Sequence, residues 1–232
     1  MISYIPERFL PVVKGLYQTI YPEMNPDFNP PANATGVHPE NDAPHSLKDK
    51  HLSDATIVPD RNTMLDRLTD AHGRVAELGV DEGDFSKQII DRLSSDELHL
   101  VDVWNSSRYD EGKMQQVRTR FADAIDDGTV EIHRKRSEEY LEAMPTDYLS
   151  FAYIDTSHGY QQTLTELELC REVVIDDGVI AGHDFCVGNP PRRNTYGVLP
   201  AVTEFCSDYQ YRLSYLTLET HGHHSFALEK IR

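Results

Sequence analysis

The chain is 232 residues long, with 39 acidic against 22 basic side chains and a formal net charge of −17. That length suits one α/β domain with an extension. The charge, with no basic stripe to offset it, argues against a nucleic-acid backbone as the main partner, and no apolar run reaches the roughly 18 residues that a membrane span needs.

No basic-then-apolar stretch opens the sequence, so no signal peptide is expected. Three widely spaced cysteines, Cys170, Cys186 and Cys206, make neither a disulfide framework nor a paired metal motif. A cytoplasmic location is the corresponding expectation. Residues 6–20 place Phe9, Val12, Val13, Leu16 and Ile20 at the spacing of an amphipathic helix. From Tyr21 to about Asp60 come seven prolines and few large apolar groups. That composition predicts irregular structure, so residues 1–60 read as an arm or lid rather than an independent domain.

A regular alternation fills residues 61–232. A short helix near 62–71 precedes a strand at 74–79, and a helix at 84–93 carries Phe85, Ile89 and Leu93 on one stripe. A strand at 97–103 leads to a helix at 113–125, with Met114, Val117, Phe121 and Ile125 at helical spacing. Next come a strand near 129–134, a short helix near 137–143, a strand at 148–155, a helix at 161–174 and a strand at 178–184. After a Pro/Arg/Asn loop at 188–196, a helix at 197–208 leads to a hairpin, 211–218 and 224–230. Strands alternating with helices predict an α/β fold with a doubly wound, Rossmann-like, mostly parallel sheet. The hairpin would add an antiparallel edge.

The most informative segment is Arg-Val-Ala-Glu-Leu-Gly-Val-Asp-Glu-Gly-Asp-Phe-Ser, residues 74–86. A strand runs into a glycine turn that opens a helix, and Gly79 and Gly83 allow backbone angles and close approach that a β-carbon would forbid. A helix N-terminus normally attracts pyrophosphate, but Asp81, Glu82 and Asp84 would repel it. The loop is therefore expected to hold a nucleoside without phosphates, and S-adenosylmethionine is the common one. Ligands of such sheets bind beyond the carboxyl ends of the strands. There stand Glu77 and Gly79, then Asp102, which is placed to accept both ribose hydroxyls, then Asp155, then His183 and Asp184.

Asp155 and Asp184 can converge on one hard cation such as Mg²⁺, with His183 as a third ligand. Histidine also admits Mn²⁺, Fe²⁺ or Zn²⁺. A hydroxyl at that cation would lose its proton more readily, and His158 is the candidate general base. The competing reading leaves both aspartates as turn caps. Trp104 and Tyr109 are candidates to stack on an adenine, or else rim packing. Ser137 is a candidate contact to the adenine edge, or else a helix N-cap. His221, His223 and His224 lie at a hairpin turn and are candidates to bind a metal, though a solvated turn is the stronger reading, and Arg192 and Arg193 read as a solvated pair or contacts to an anionic substrate.

Taken together, Val-Ala-Glu-Leu-Gly-Val-Asp-Glu-Gly-Asp-Phe-Ser, His-Leu-Val-Asp-Val-Trp, Tyr-Ile-Asp-Thr-Ser-His-Gly-Tyr and Asp-Gly-Val-Ile-Ala-Gly-His-Asp-Phe resemble class I S-adenosylmethionine-dependent methyltransferases. Within that class the chain is most similar to the small-molecule O-methyltransferases of the macrocin and mycinamicin type. The resemblance covers roughly residues 60–232 and implies a seven-stranded sheet of order 3-2-1-4-5-7-6. It implies cofactor contacts at Glu77, Gly79, Gly83, Ser86 and Asp102. It also implies Mg²⁺ at Asp155 and the His183-Asp184 pair, and His158 as base. His183 departs from that group, where an acidic residue is usual.

The expected activity is O-methylation of a hydroxyl on a sugar or other polyhydroxylated small molecule, assisted by a divalent metal. The alternatives are a metal-independent methyltransferase, and an Fe(II)-dependent oxidoreductase or hydroxylase using His183, Asp184 and Asp155. A small-molecule acceptor is the expected partner, with no nucleic acid and no membrane, and the arm offers a surface for self-association.

Overall fold

The computed structural model describes residues 46–68, 73–189 and 194–232. The helix expected at 6–20, the first part of the arm, and Arg192 and Arg193 lie outside the described residues. Residues 45–188 and 196–232 form one compact unit. Residues 1–44 and 189–195 make a second unit, of which Asn189, Asn194 and Thr195 are described, in a short two-stranded ribbon.

The larger unit is built on eight strands: β1 (Thr56–Val58), β2 (Gly73–Leu78), β3 (Ser95–Asp102), β4 (Val130–Arg134), β5 (Leu149–Ile154), β6 (Val174–Gly182), β7 (Tyr211–Thr217) and β8 (Phe226–Lys230). Their order across the sheet is β1-β7-β8-β6-β5-β2-β3-β4. Counted from β2, this is the order 3-2-1-4-5-7-6, extended by one strand. β8 runs antiparallel to both neighbours, while the other pairs are parallel. The sheet thus has eight strands rather than seven. The extra one, β1, lies in the stretch whose composition predicts irregular structure, and it is held by parallel pairing to β7. A three-residue edge strand has too little periodicity to stand out from its own sequence.

The helices are α1 (Asp49–Leu52), α2 (Arg61–Arg67), α3 (Asp84–Arg92), α4 (Glu111–Arg120), α5 (Ala122–Asp126), α6 (Ser137–Glu142), α7 (Tyr160–Val173) and α8 (Val198–Tyr209). The single helix expected at 113–125 is broken at Phe121, between α4 and α5. Side chains alternate across each strand, so every residue of the central β5 is buried and the sheet has two apolar faces. Ala152 and Ile154 pack with α6, α7 and α8, whereas Phe151 and Tyr153 pack with α2, α3 and α4. This double winding leaves the carboxyl ends of β2, β3, β5 and β6 together at one rim. Among the described residues no helix is long and apolar enough to cross a membrane.

Candidate active site

The glycine turn begins where β2 is stitched to its neighbours. The Gly79 amide donates to the Val101 carbonyl at 2.8 Å, and the Asp155 amide donates to the Leu78 carbonyl at 2.8 Å. Gly79 has φ 91°, and a β-carbon there would stand 2.0 Å from the Asp155 carbonyl oxygen. The adjoining strand end therefore demands this glycine, before any ligand does. Gly83 (φ 76°) caps α3, closely backed by Phe121 and Val117.

Asp102 organises the loop. One carboxylate oxygen accepts from the Val80 and Asp81 amides at 2.9 and 3.0 Å, and the other accepts from the Trp104 amide at 3.2 Å. The group is partly exposed, and Oδ1, with one amide bound, keeps a further acceptor site. Trp104 takes a different place from the one expected. It is fully buried, and its indole N–H donates to the Asp81 carbonyl at 2.9 Å. A ring with no accessible face cannot stack on adenine, so Trp104 braces the loop from below. Tyr109 remains partly exposed beside it.

The three carboxylates of the turn also have partners. Lys113 pairs with Asp81 and lies 3.0 Å from Glu82, while Arg120 lies 2.6 Å from Asp84. These cations of α4 and its end draw the negative charge outward and offset part of the phosphate repulsion expected from the sequence.

Glu77 and Ser86 sit beneath the turn, 1% and 0% exposed, with the Ser86 hydroxyl donating to the Glu77 carboxyl. Burial pushes the Glu77 pKa up to about 8 against the pull of that hydrogen bond, and nearby Asp155 adds to the rise. Both support the turn rather than line it. Ser137 is also buried, its hydroxyl donating to Glu166, with Glu138 Oε2 3.2 Å away. It ties α6 to α7 in place of the adenine contact or the N-cap expected of it, since the N-cap of α6 is Arg136.

At the ends of β5 and β6, Asp155, His158 and Asp184 come together. His158 Nε2 lies 2.6 Å from Asp184 Oδ2 and 3.8 Å from Asp155 Oδ1. The nearest donor atoms of all three fall within 4.8 Å of one another. Burial disfavours the charged imidazole, but the hydrogen bonds and charges of Asp155 and Asp184 outweigh it and raise the His158 pKa to about 9. Burial likewise opposes ionisation of Asp184, and His158 chiefly overcomes it, holding Asp184 down at about 2.

His183 does not join this group. Its Nδ1 lies 2.9 Å from Ser225 Oγ, which in turn lies 3.0 Å from the Tyr153 hydroxyl. Beyond the end of β6 the backbone turns at Asp184 (φ 59°), so Asp184 faces His158 and His223 while His183 faces Ser225. The side chains whose donor atoms converge are Asp155, His158 and Asp184, and not the expected metal set of Asp155, His183 and Asp184.

Two residues of the site escaped the sequence reading. His223, expected in a solvated turn, pairs its Nδ1 with Asp184 Oδ1. Arg61 sets its guanidinium 4.2 Å over the Phe85 ring and 3.9 Å from Asp155 Oδ2. The His-rich hairpin was a signal for the first; nothing local marks Arg61.

Residues 76–185 match the profile of a family described as a methyltransferase domain. Over that segment, just under half of its length, the chain is similar to a methyltransferase domain. Solved structures similar to it agree on the fold. An rRNA methylase from Streptococcus thermophilus is 15% identical with a TM-score of 0.53, over 74% of this chain and 95% of that one. The pyocyanin biosynthetic protein PhzM is 13% identical at TM-score 0.55, over 73% and 54%. A spermidine synthase from Thermotoga maritima is 16% identical at TM-score 0.51, over 73% and 60%. No curated protein matches the sequence. S-adenosylmethionine is the expected cofactor of this domain, and the variety of those neighbours means that acceptor choice must be argued from the site.

Proposed function

We propose that this methyltransferase domain methylates a hydroxyl of a sugar or other polyhydroxylated small molecule. Asp155 and Asp184 would hold a divalent cation, and His158 would serve as general base. The observation that carries this reading is the convergence of His158 with Asp155 and Asp184, 3.8 and 2.6 Å away, at the strand ends beside the glycine turn. S-adenosylmethionine supplies an electrophilic methyl group, and the Asp102 carboxylate beside Gly79 fits its ribose hydroxyls.

The two carboxylates suit a hard divalent cation such as Mg²⁺, with His158 left outside the ligand set as the base. Such an ion supplies Lewis acidity at the acceptor hydroxyl. His158 is otherwise an imidazolium clamped between acids. With those acids engaged elsewhere it is neutral and can take the hydroxyl proton at Nε2. Asp102 fixes the cofactor end, so that acceptor and methyl group meet in line and in one orientation.

Calorimetry with S-adenosylmethionine and with NAD tests the first half; tight NAD binding with no response to S-adenosylmethionine would sink it. Asp155→Ala and His158→Ala should each lower methyl transfer to a panel of polyhydroxylated acceptors by about 100-fold or more. Cofactor affinity should stay nearly intact, and full activity in either variant removes that residue from the mechanism.

One observation favours a second reading. The 2.6 Å pairing of His158 with Asp184 holds the imidazole in place, and above about pH 9, where the ring loses its proton, it would serve as base without a metal. Activity that survives exhaustive chelation selects this form. The Fe(II) oxidoreductase reading needs His183 beside Asp155 and Asp184, and the ring is bound to Ser225 instead.

A further inference from the structure

A second group of ligand-type side chains lies away from the strand ends, on the outer part of the sheet. His99 is on β3, and Glu131 and His133 are on the edge strand β4. Residues two apart share a strand face, and the parallel register sets His99 opposite Glu131 and Val101 opposite His133. His99 Nδ1 is 3.0 Å from His133 Nε2, and Glu131 Oε2 is 3.8 and 3.7 Å from those two atoms. A point equidistant from the three atoms lies roughly 2.1 Å from each, the bond length of Zn²⁺ to imidazole nitrogen or carboxylate oxygen.

We propose that His99, His133 and Glu131 form a binding site for a zinc-type divalent transition metal, distinct from the cluster of Asp155, His158 and Asp184. The surroundings match such a site. His99 is 1% exposed, and its Nε2 is buried without a hydrogen-bond partner, with Glu97 Oε1 3.6 Å away. With Nδ1 as the ligand, Nε2 carries the proton and faces Glu97. Glu97 is too distant for a hydrogen bond, but its charge favours the proton on Nε2 and leaves Nδ1 free to ligate.

Tyr140 of α6 packs its ring 4.8 Å from the His133 ring and 5.8 Å from that of His99, closing the inner side. Glu131 is exposed, so an ion enters from solvent and a water can complete a tetrahedral set. Burial lowers the pKa of both histidines, which favours the neutral, ligating form. The ion would fasten the edge strand β4 to β3, three residues before Asp102.

The test uses the full chain stripped of metal by chelation, titrated with ZnCl₂ by calorimetry and with CoCl₂ by visible absorption. Wild type should bind one zinc equivalent that His133→Ala loses and that Glu131→Gln holds at least about 10-fold more weakly. Asp155→Asn should retain that equivalent, which separates it from the strand-end cluster. Zinc should raise the thermal midpoint of wild type by more than that of His133→Ala. Equal zinc stoichiometry and affinity in wild type and both variants would overturn the proposal, leaving two imidazoles that merely share a proton. Circular dichroism checks that His133→Ala folds. If it does not, the exposed Glu131→Gln decides by itself.

Discussion

Replacing Glu77 with glutamine removes a buried titrating group and keeps an oxygen for the Ser86 hydroxyl. Glu77 is 1% exposed and its pKa stands at about 8 in the folded protein against an ordinary 4.5. The raised value means that the folded protein keeps a proton which the unfolded chain releases. Stability is therefore highest below about pH 4.5 and falls as pH rises towards 8, where the native carboxyl also ionises. At about 1.4 kcal/mol per pH unit, and counting partial titration at each end, wild type should lose roughly 2.5–3.5 kcal/mol between pH 5 and pH 8 through this one group. Glu77→Gln should not lose it. Urea unfolding of both proteins at pH 5, 6.5 and 8, without cofactor, measures the difference directly. If the wild-type and variant curves run parallel across that range, the carboxyl is not held protonated and the account of the turn's support is wrong.

Gly79→Ala places a methyl group 2.0 Å from the Asp155 carbonyl at φ 91°. It should cost more than about 3 kcal/mol in urea unfolding, and a variant as stable as wild type would show that the strand ends are not in such contact. Trp104→Phe deletes the bond from the indole to the Asp81 carbonyl. The expected cost is about 1–3 kcal/mol from an orphaned buried acceptor. Thermal unfolding checks it, and loss of cofactor affinity with unchanged stability would restore the stacking role.

Much of the fold was legible in the sequence because its signals are local. The stripes of Phe85 and Ile89, or of Met114, Val117 and Phe121, repeat at the helical period. The run Leu149–Ile154 is apolar but for Ser150, as suits a strand covered on both faces. Asp102, Asp155 and Asp184 could be placed at strand ends by the same counting. β1 could not, since three residues in a proline-rich stretch acquire their pairing only when β7 is beside them.

Periodicity in this chain thus determined the alternation of strands and helices and the rim where chemistry gathers, both properties of neighbours within a few residues. Tertiary structure decided which histidine meets which acid. His158 and His223 reach Asp184 from separate loops, while His183, adjacent in sequence, turns to Ser225. It also decided that Trp104 is core, that Gly79 yields to the Asp155 carbonyl, and that Arg61 reaches Asp155. Each of these pairings joins atoms through the closed sheet, so their directions exist only once the strands are in register.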